Sequence, residues 1–183
     1  MSGDAIELAR HRAKLVHQQI LKAVEGLTDD QLAWRPVPRA HSLGWTLWHL
    51  ARGADAFQAS VPHPEPRPQI WQAEGLADTW SLAEALLGAN GLGTGVDDDV
   101  AATLQLPPKG ALVEYAKKTF GALDAIVDDL DDDLWCREHV SMFFDGPATV
   151  GRSVIAAISH DSRHLGEMEY IKGLMGLRGT VTR

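Results

Sequence analysis

The sequence predicts an all-α protein, a four-helix bundle with a long crossover loop and short extra helices. Apolar residues recur at helical spacing over four long stretches, and no comparable stretch alternates at strand spacing. Prolines fall between these stretches, where chain breaks are needed. The length, 183 residues, suits one domain with a core of useful size, here taken as residues 1–183.

The first helix carries Ile6, Ala9, Ala13, Val16, Ile20, Ala23, Val24 and Leu27 on one face. Thr28-Asp29-Asp30 breaks it and caps a short turn that runs to Trp34. Arg35-Pro36-Val37-Pro38 is then a stiff linker, because each proline disfavours helix in the residue before it. Ser42 is the N-cap of a second helix, with Leu43, Leu47, Leu50, Ala54 and Phe57 as its stripe, ending before Pro62.

Residues 62–80 hold prolines 62, 64, 66 and 68 and read as an ordered crossover rather than a strand. Ser81-Leu82-Ala83-Glu84 has the form of a capping box that opens a short helix to about residue 89. Gly91, Gly93 and Gly95 do not make a phosphate loop, since no strand precedes them and no Gly-Lys-Ser/Thr follows. Asp97-Asp98-Asp99 lacks the alternating ligands of a calcium loop and is read as a solvated loop or a helix start. A third long helix covers 111–131, with Leu112, Ala116, Thr119, Leu123, Ile126, Val127 and Leu130 inward. The acidic run from Asp128 to Asp133 is a solvated turn, and residues 135–148 are irregular. The fourth long helix spans about 149–173.

Composition narrows the function. The chain is 45% hydrophobic and 23% charged, with a formal net charge of -8. That balance argues against nucleic acid as a partner, which would select a basic face. No stretch approaches the roughly 20 apolar residues of a membrane span, and the acidic N-terminus is unlike a signal peptide. A lone cysteine, Cys136, rules out an intrachain disulfide and fits a reducing compartment. The expected location is the cytoplasm.

Chemistry rests on histidine. His11 and His17 stand among charged positions and are expected in solvent, and His63 and His139 in loops. His160 and His164 are four apart on the last helix, so they share a face. They lie at the edge of the stripe built by Val154, Ala157, Ile171 and Met175, and suit zinc, nickel or a similar ion. Glu167 lies near the same face as an orienter or a base. His49 sits in the apolar run Trp45-Thr46-Leu47-Trp48-His49-Leu50. It is either a core histidine bonded to the backbone or a further ligand. Cys136 follows Trp135 in a turn and is read as neither ligand nor nucleophile.

The segment Trp45-Thr-Leu-Trp-His49-Leu-Ala, together with His160-Asp-Ser-Arg-His164-Leu-Gly-Glu-Met-Glu-Tyr-Ile-Lys-Gly, resembles the DinB-like superfamily. The likeness extends to Ile70-Trp71, to Leu106-Pro107-Pro108 and to Gly166, Gly173 and Gly176. It implies a four-helix bundle with one divalent ion, usually nickel or zinc, on His49, His160 and His164. Thiol-dependent enzymes belong to the superfamily, among them the mycothiol-dependent maleylpyruvate isomerase and bacillithiol transferases. Dimers are common in it, so a homodimer is expected.

Three protein ligands leave a coordination position open, as catalytic sites do. The leading expectation is a metal-dependent transferase that uses a small thiol cosubstrate on a small-molecule substrate. Arg52 would hold a carboxylate, unless it is a surface arginine, and Glu167 would serve as base. The rivals are a metal-dependent hydrolase and a non-catalytic protein that binds a metal or small ligand.

Overall fold

In the computed structural model the stripe from Ile6 to Val24 is buried along one face of α1 (Ser2–Val24). The structure describes residues 2–63, 65 and 67–180, so Pro64 and Pro66 of the proline-rich stretch lie outside the described residues. Thr28 caps the short α2 (Asp29–Ala33) in a full capping box with Gln31. Ser42 accepts from the Trp45 backbone N–H and starts α3 (Leu43–Ser60).

Among its described residues the crossover forms no strand beyond a single bridge between Ala89 and Thr94. It carries α4 (Ile70–Ala73), α5 (Leu76–Thr79) and α6 (Asp98–Thr103). Asp97 caps α6 with its own carboxylate, so the aspartate triplet is a helix start. Ser81 departs from the expected capping box. Its φ is 54°, and it closes α5 with the bonds Ser81 N–H to Asp78 and Leu82 N–H to Ala77. Only a single tight turn, Glu84–Leu86, follows it.

The third long helix is α7 (Lys109–Asp128), and all seven positions expected inward on or just beyond it are buried. Beyond it the sequence reading needs two corrections. The acidic run forms the cap and first turn of α8 (Asp132–Cys136), with Asp131 accepting from the Leu134 N–H. The stretch expected to be irregular pairs β1 (Glu138–Val140) with β2 (Pro147–Thr149) in a small antiparallel ribbon. Thr149 then caps α9 (Val150–Leu174).

Helix directions follow from named contacts. Arg10 bonds to the carbonyls of Val127 and Leu130, and Lys109 reaches back to Leu27 and Asp29, so α1 and α7 are antiparallel. Arg52 meets Tyr115, and Phe57 shares a cavity wall with Leu123, so α3 runs with α7. His49 faces His164 while Phe57 and Ala54 lie by Ala157, so α9 opposes α3 and runs with α1. Joining parallel α3 to α7 requires a return over about 30 Å, the length of a 20-residue helix. The long crossover makes that return.

The core is one cluster drawn from all four long helices. Trp48 and Phe57 are fully buried in it, and a side chain of that size contributes about 1.5–3 kcal/mol by leaving water. No helix among the described residues is long and apolar enough to cross a membrane.

Candidate metal centre

α3 carries His49 and α9 carries His160 and His164, and the three side chains converge. One nitrogen from each lies within 4.8 Å of the others. The Nε2 atoms of His49 and His160 are 3.1 Å apart. His49 and His164 are buried, and His160 is half-buried.

The opposite side of each ring is engaged. Nδ1 of His49 donates to the Leu92 carbonyl. Nδ1 of His160 lies 3.2 Å from Asp161 Oδ1. Nδ1 of His164 lies 2.6 Å from Glu167 Oε2. A carbonyl or carboxylate can only accept, so each Nδ1 carries the proton and each Nε2 presents a lone pair. Two such lone pairs facing each other at 3.1 Å repel unless a cation lies between them. Two nitrogens at about 2.1 Å from one tetrahedral ion would stand roughly 3.4 Å apart, so the donor set fits a divalent ion.

Electrostatics favour the neutral rings that an ion needs. Burial, with the nearby charge of His160 and His164, holds His49 down at about 4 against the opposing bond to Leu92. Burial and His160 also lower His164, although Glu167 pulls the other way.

A cavity of about 460 Å³ lies against the three rings. Trp45, Phe57, Leu92 and Phe143 give it apolar walls, and Arg163 is a cation at its edge. Trp45 stacks on His49 with the rings 13° from parallel. The wall at Leu92-Gly93-Thr94 comes from the crossover. Gly93 has φ +84°, and a Cβ there would stand 2.9 Å from both Trp45 and Trp48.

Other expected residues are placed differently. Arg52 is neither at the surface nor in the cavity wall. It is 2% exposed and bonds to Asp55, Tyr115, Gln69 and the Gly91 carbonyl. Asp55 in turn accepts from the backbone N–H groups of Ile70 and Trp71. The pair therefore fastens the crossover to α3, which corrects the alternative of a surface arginine. Glu167 touches the outer nitrogen of His164 and is absent from the cavity wall, which is an orienter's place. Cys136 is exposed and stands outside the cluster.

Two histidines expected outside the core are inside it. His139 is buried, with Nε2 2.9 Å from Ser153 Oγ, and ties the ribbon to α9. His17 is 3% exposed and lies between Asp124 and Asp161, at 2.7 and 3.3 Å. Burial disfavours its charge, but bonds to both carboxylates and their attraction outweigh that and lift its pKa to about 9. His63 lies outside the helices, as expected, and is exposed.

An all-helical bundle with a three-histidine cluster at a cavity defines a class of candidate mononuclear metal proteins. A profile of the DinB superfamily matches residues 12–168, and the chain belongs to that superfamily. Solved structures show the same fold. A conserved protein from Enterococcus faecalis aligns with TM-score 0.75 at 19% identity, over 93% of this chain and 96% of that one. YfiT from Bacillus subtilis, described as a probable metal-dependent hydrolase with an unusual four-helix bundle topology, aligns with TM-score 0.58 at 16% identity, over 94% and 88%. A DinB-like protein from Bacillus cereus gives 0.56 at 15% identity, over 92% and 91%. Among curated proteins none matches in sequence.

Proposed function

We propose that the chain holds one divalent ion, nickel or zinc, on His49, His160 and His164 and transfers a low-molecular-weight thiol to an electrophilic small molecule. One observation carries the reading: three imidazoles have Nδ1 engaged by a carbonyl or carboxylate, while one nitrogen from each lies within 4.8 Å of the others. Three ligands leave a position open, and all three rings border the cavity.

When bound, the ion supplies Lewis acidity that lowers the pKa of a thiol or water at that position. The protein's part is to orient and to exclude water. Trp45 fixes the plane of His49, Glu167 fixes His164, and Phe57 and Phe143 keep the cavity apolar. Arg163 takes the role once expected of Arg52 and receives an anionic group on the thiol or its acceptor.

Thiol transfer is favoured over hydrolysis because no unengaged carboxylate stands among the described residues that line the cavity. Asp161 is the only carboxylate among the cavity-lining residues described, and both its oxygens are engaged, by His160 and His17. A thiol near such an ion ionises at neutral pH without a base, whereas hydrolysis gains from one. Hydrolysis is the second reading, supported by the likeness to YfiT.

Elemental analysis of untagged protein should find about one ion per chain, or uptake of one on adding nickel or zinc. The loaded protein should then consume thiol with an electrophile, and His160→Ala should abolish this while the chain stays helical. A broad thiol-by-electrophile screen without metal-dependent turnover would sink the transferase reading. Tight ligand binding without product would make this a binding protein instead.

A further inference from the structure

Asp161 follows His160 directly on α9, yet successive side chains on a helix diverge by about 100°. Asp161 nevertheless turns one oxygen to Nδ1 of His160, at 3.2 Å. Its other oxygen lies 3.3 Å from Nε2 of His17, on α1. The far nitrogen of His17 is 2.7 Å from Asp124, on α7. Phe120 stacks on the His17 ring at 4.4 Å and 6°. His160, Asp161, His17 and Asp124 thus form one chain across three helices, buried at its two middle members, Asp161 and His17.

In that chain both nitrogens of His17 and both oxygens of Asp161 are engaged. Asp161 is 6% exposed, so few water molecules can replace a lost partner. A carboxylate left with an unmatched buried oxygen turns away toward another donor. That turn removes the acceptor that keeps the proton of His160 on Nδ1, and with it the free lone pair on Nε2.

Resting on the three-histidine reading, we propose that His17 is a positioning residue of the metal centre: it holds Asp161, which holds His160. Helix α1 contributes no ligand, but through this contact it sets the affinity of the site. Carboxylate partners of ligating histidines are commonly worth 10–100-fold in metal affinity.

The test uses two polar variants of similar size in the full-length chain. A glutamine amide nitrogen falls close to the place of His Nε2, and an asparagine amide close to that of Nδ1. His17→Gln therefore keeps the donor to Asp161, and His17→Asn keeps only the one to Asp124. Zinc affinity is measured by competition with a chromophoric chelator, and the unfolding temperature of each metal-free protein is recorded beside it.

We expect His17→Gln to bind within a few-fold of the wild-type chain and His17→Asn to bind about 10–100-fold more weakly. Equal affinities for the two variants, whether wild-type or equally reduced, would overturn the proposal, because a purely structural His17 does not distinguish them. Failure of the wild-type chain to take up zinc or nickel would instead overturn the three-histidine reading itself. If His17→Asn does not fold, Asp161→Asn and Asp161→Leu make the same comparison. The first retains an acceptor for His160 and the second has none, so equal affinities overturn the proposal there too.

Discussion

Nδ1 of His49 donates to the backbone carbonyl of Leu92, which lies 43 residues further along the chain. A crossover loop thus decides which nitrogen of a helical histidine faces the cavity. The contact requires the next residue, Gly93, to pass closely over Trp45 and Trp48. Gly93→Ala would set a Cβ 2.9 Å from each indole, at a positive φ. The crowding and the backbone strain together should cost about 2–4 kcal/mol. A chain of this size should then melt roughly 5–15 °C lower, and metal affinity should fall with it as the Leu92 carbonyl shifts. An unchanged melting temperature would show that the loop can move aside freely.

Arg52 and Asp55 are both buried and bonded, so removing Arg52 leaves the Asp55 carboxylate buried without its counter-ion. Arg52→Met should destabilise the chain by about 3–5 kcal/mol. The loss should appear in chemical denaturation of the metal-free protein. Because Arg52 is outside the cavity wall, preference between anionic and neutral thiols should stay the same, whereas Arg163→Gln should reduce it. An Arg52→Met variant that is stable but has lost selectivity for anions would return the residue to a binding role.

Much of this was legible in the sequence. The apolar stripes located the four long helices to within a few residues, because their burial is one-sided and periodic. His160 and His164 stood out because four-residue spacing places two rings on one face. The rest of the site had no such signal. Leu92-Gly93-Thr94 and Met142-Phe143 wall the cavity from segments without a period, and only tertiary packing brings them there. His17 was misread from its charged neighbours. Its position, four residues past Ala13 and three before Ile20, already placed it on the buried face. Ser81 had the letters of a capping box, but capping needs an extended backbone, and this serine is left-handed.

Glu167 can be an orienter or a base, and one pair of variants separates the roles. Glutamine at this position still accepts the Nδ1 proton of His164 but cannot take a proton from substrate. Glu167→Gln should therefore keep most of the metal affinity and turnover, while Glu167→Ala should lose about tenfold or more in affinity. The side chain is half-exposed, so either change should alter folding stability by less than about 0.5 kcal/mol. Turnover abolished equally by both, with metal still bound, would make Glu167 the base.

The raised pKa of His17 gives metal-free stability a pH dependence of definite sign. The carboxylates facing the ring come from α7, Asp124, and α9, Asp161, and the protonated ring bonds to both. In the unfolded chain His17 titrates near 6.5, and in the folded chain at about 9. Below pH 6.5 both states carry the proton, and the stabilisation is fully present. Between 6.5 and 9 the folded state binds more protons than the unfolded one, so stability falls as pH rises. Above 9 the contribution is gone. The shift corresponds to about 3 kcal/mol across that window. Denaturation of metal-free protein at pH 6.0, 7.5 and 9.0 should show the decline, and His17→Gln should flatten it by that amount. A variant with the wild-type slope would assign the decline to other groups and leave His17 neutral between its two carboxylates.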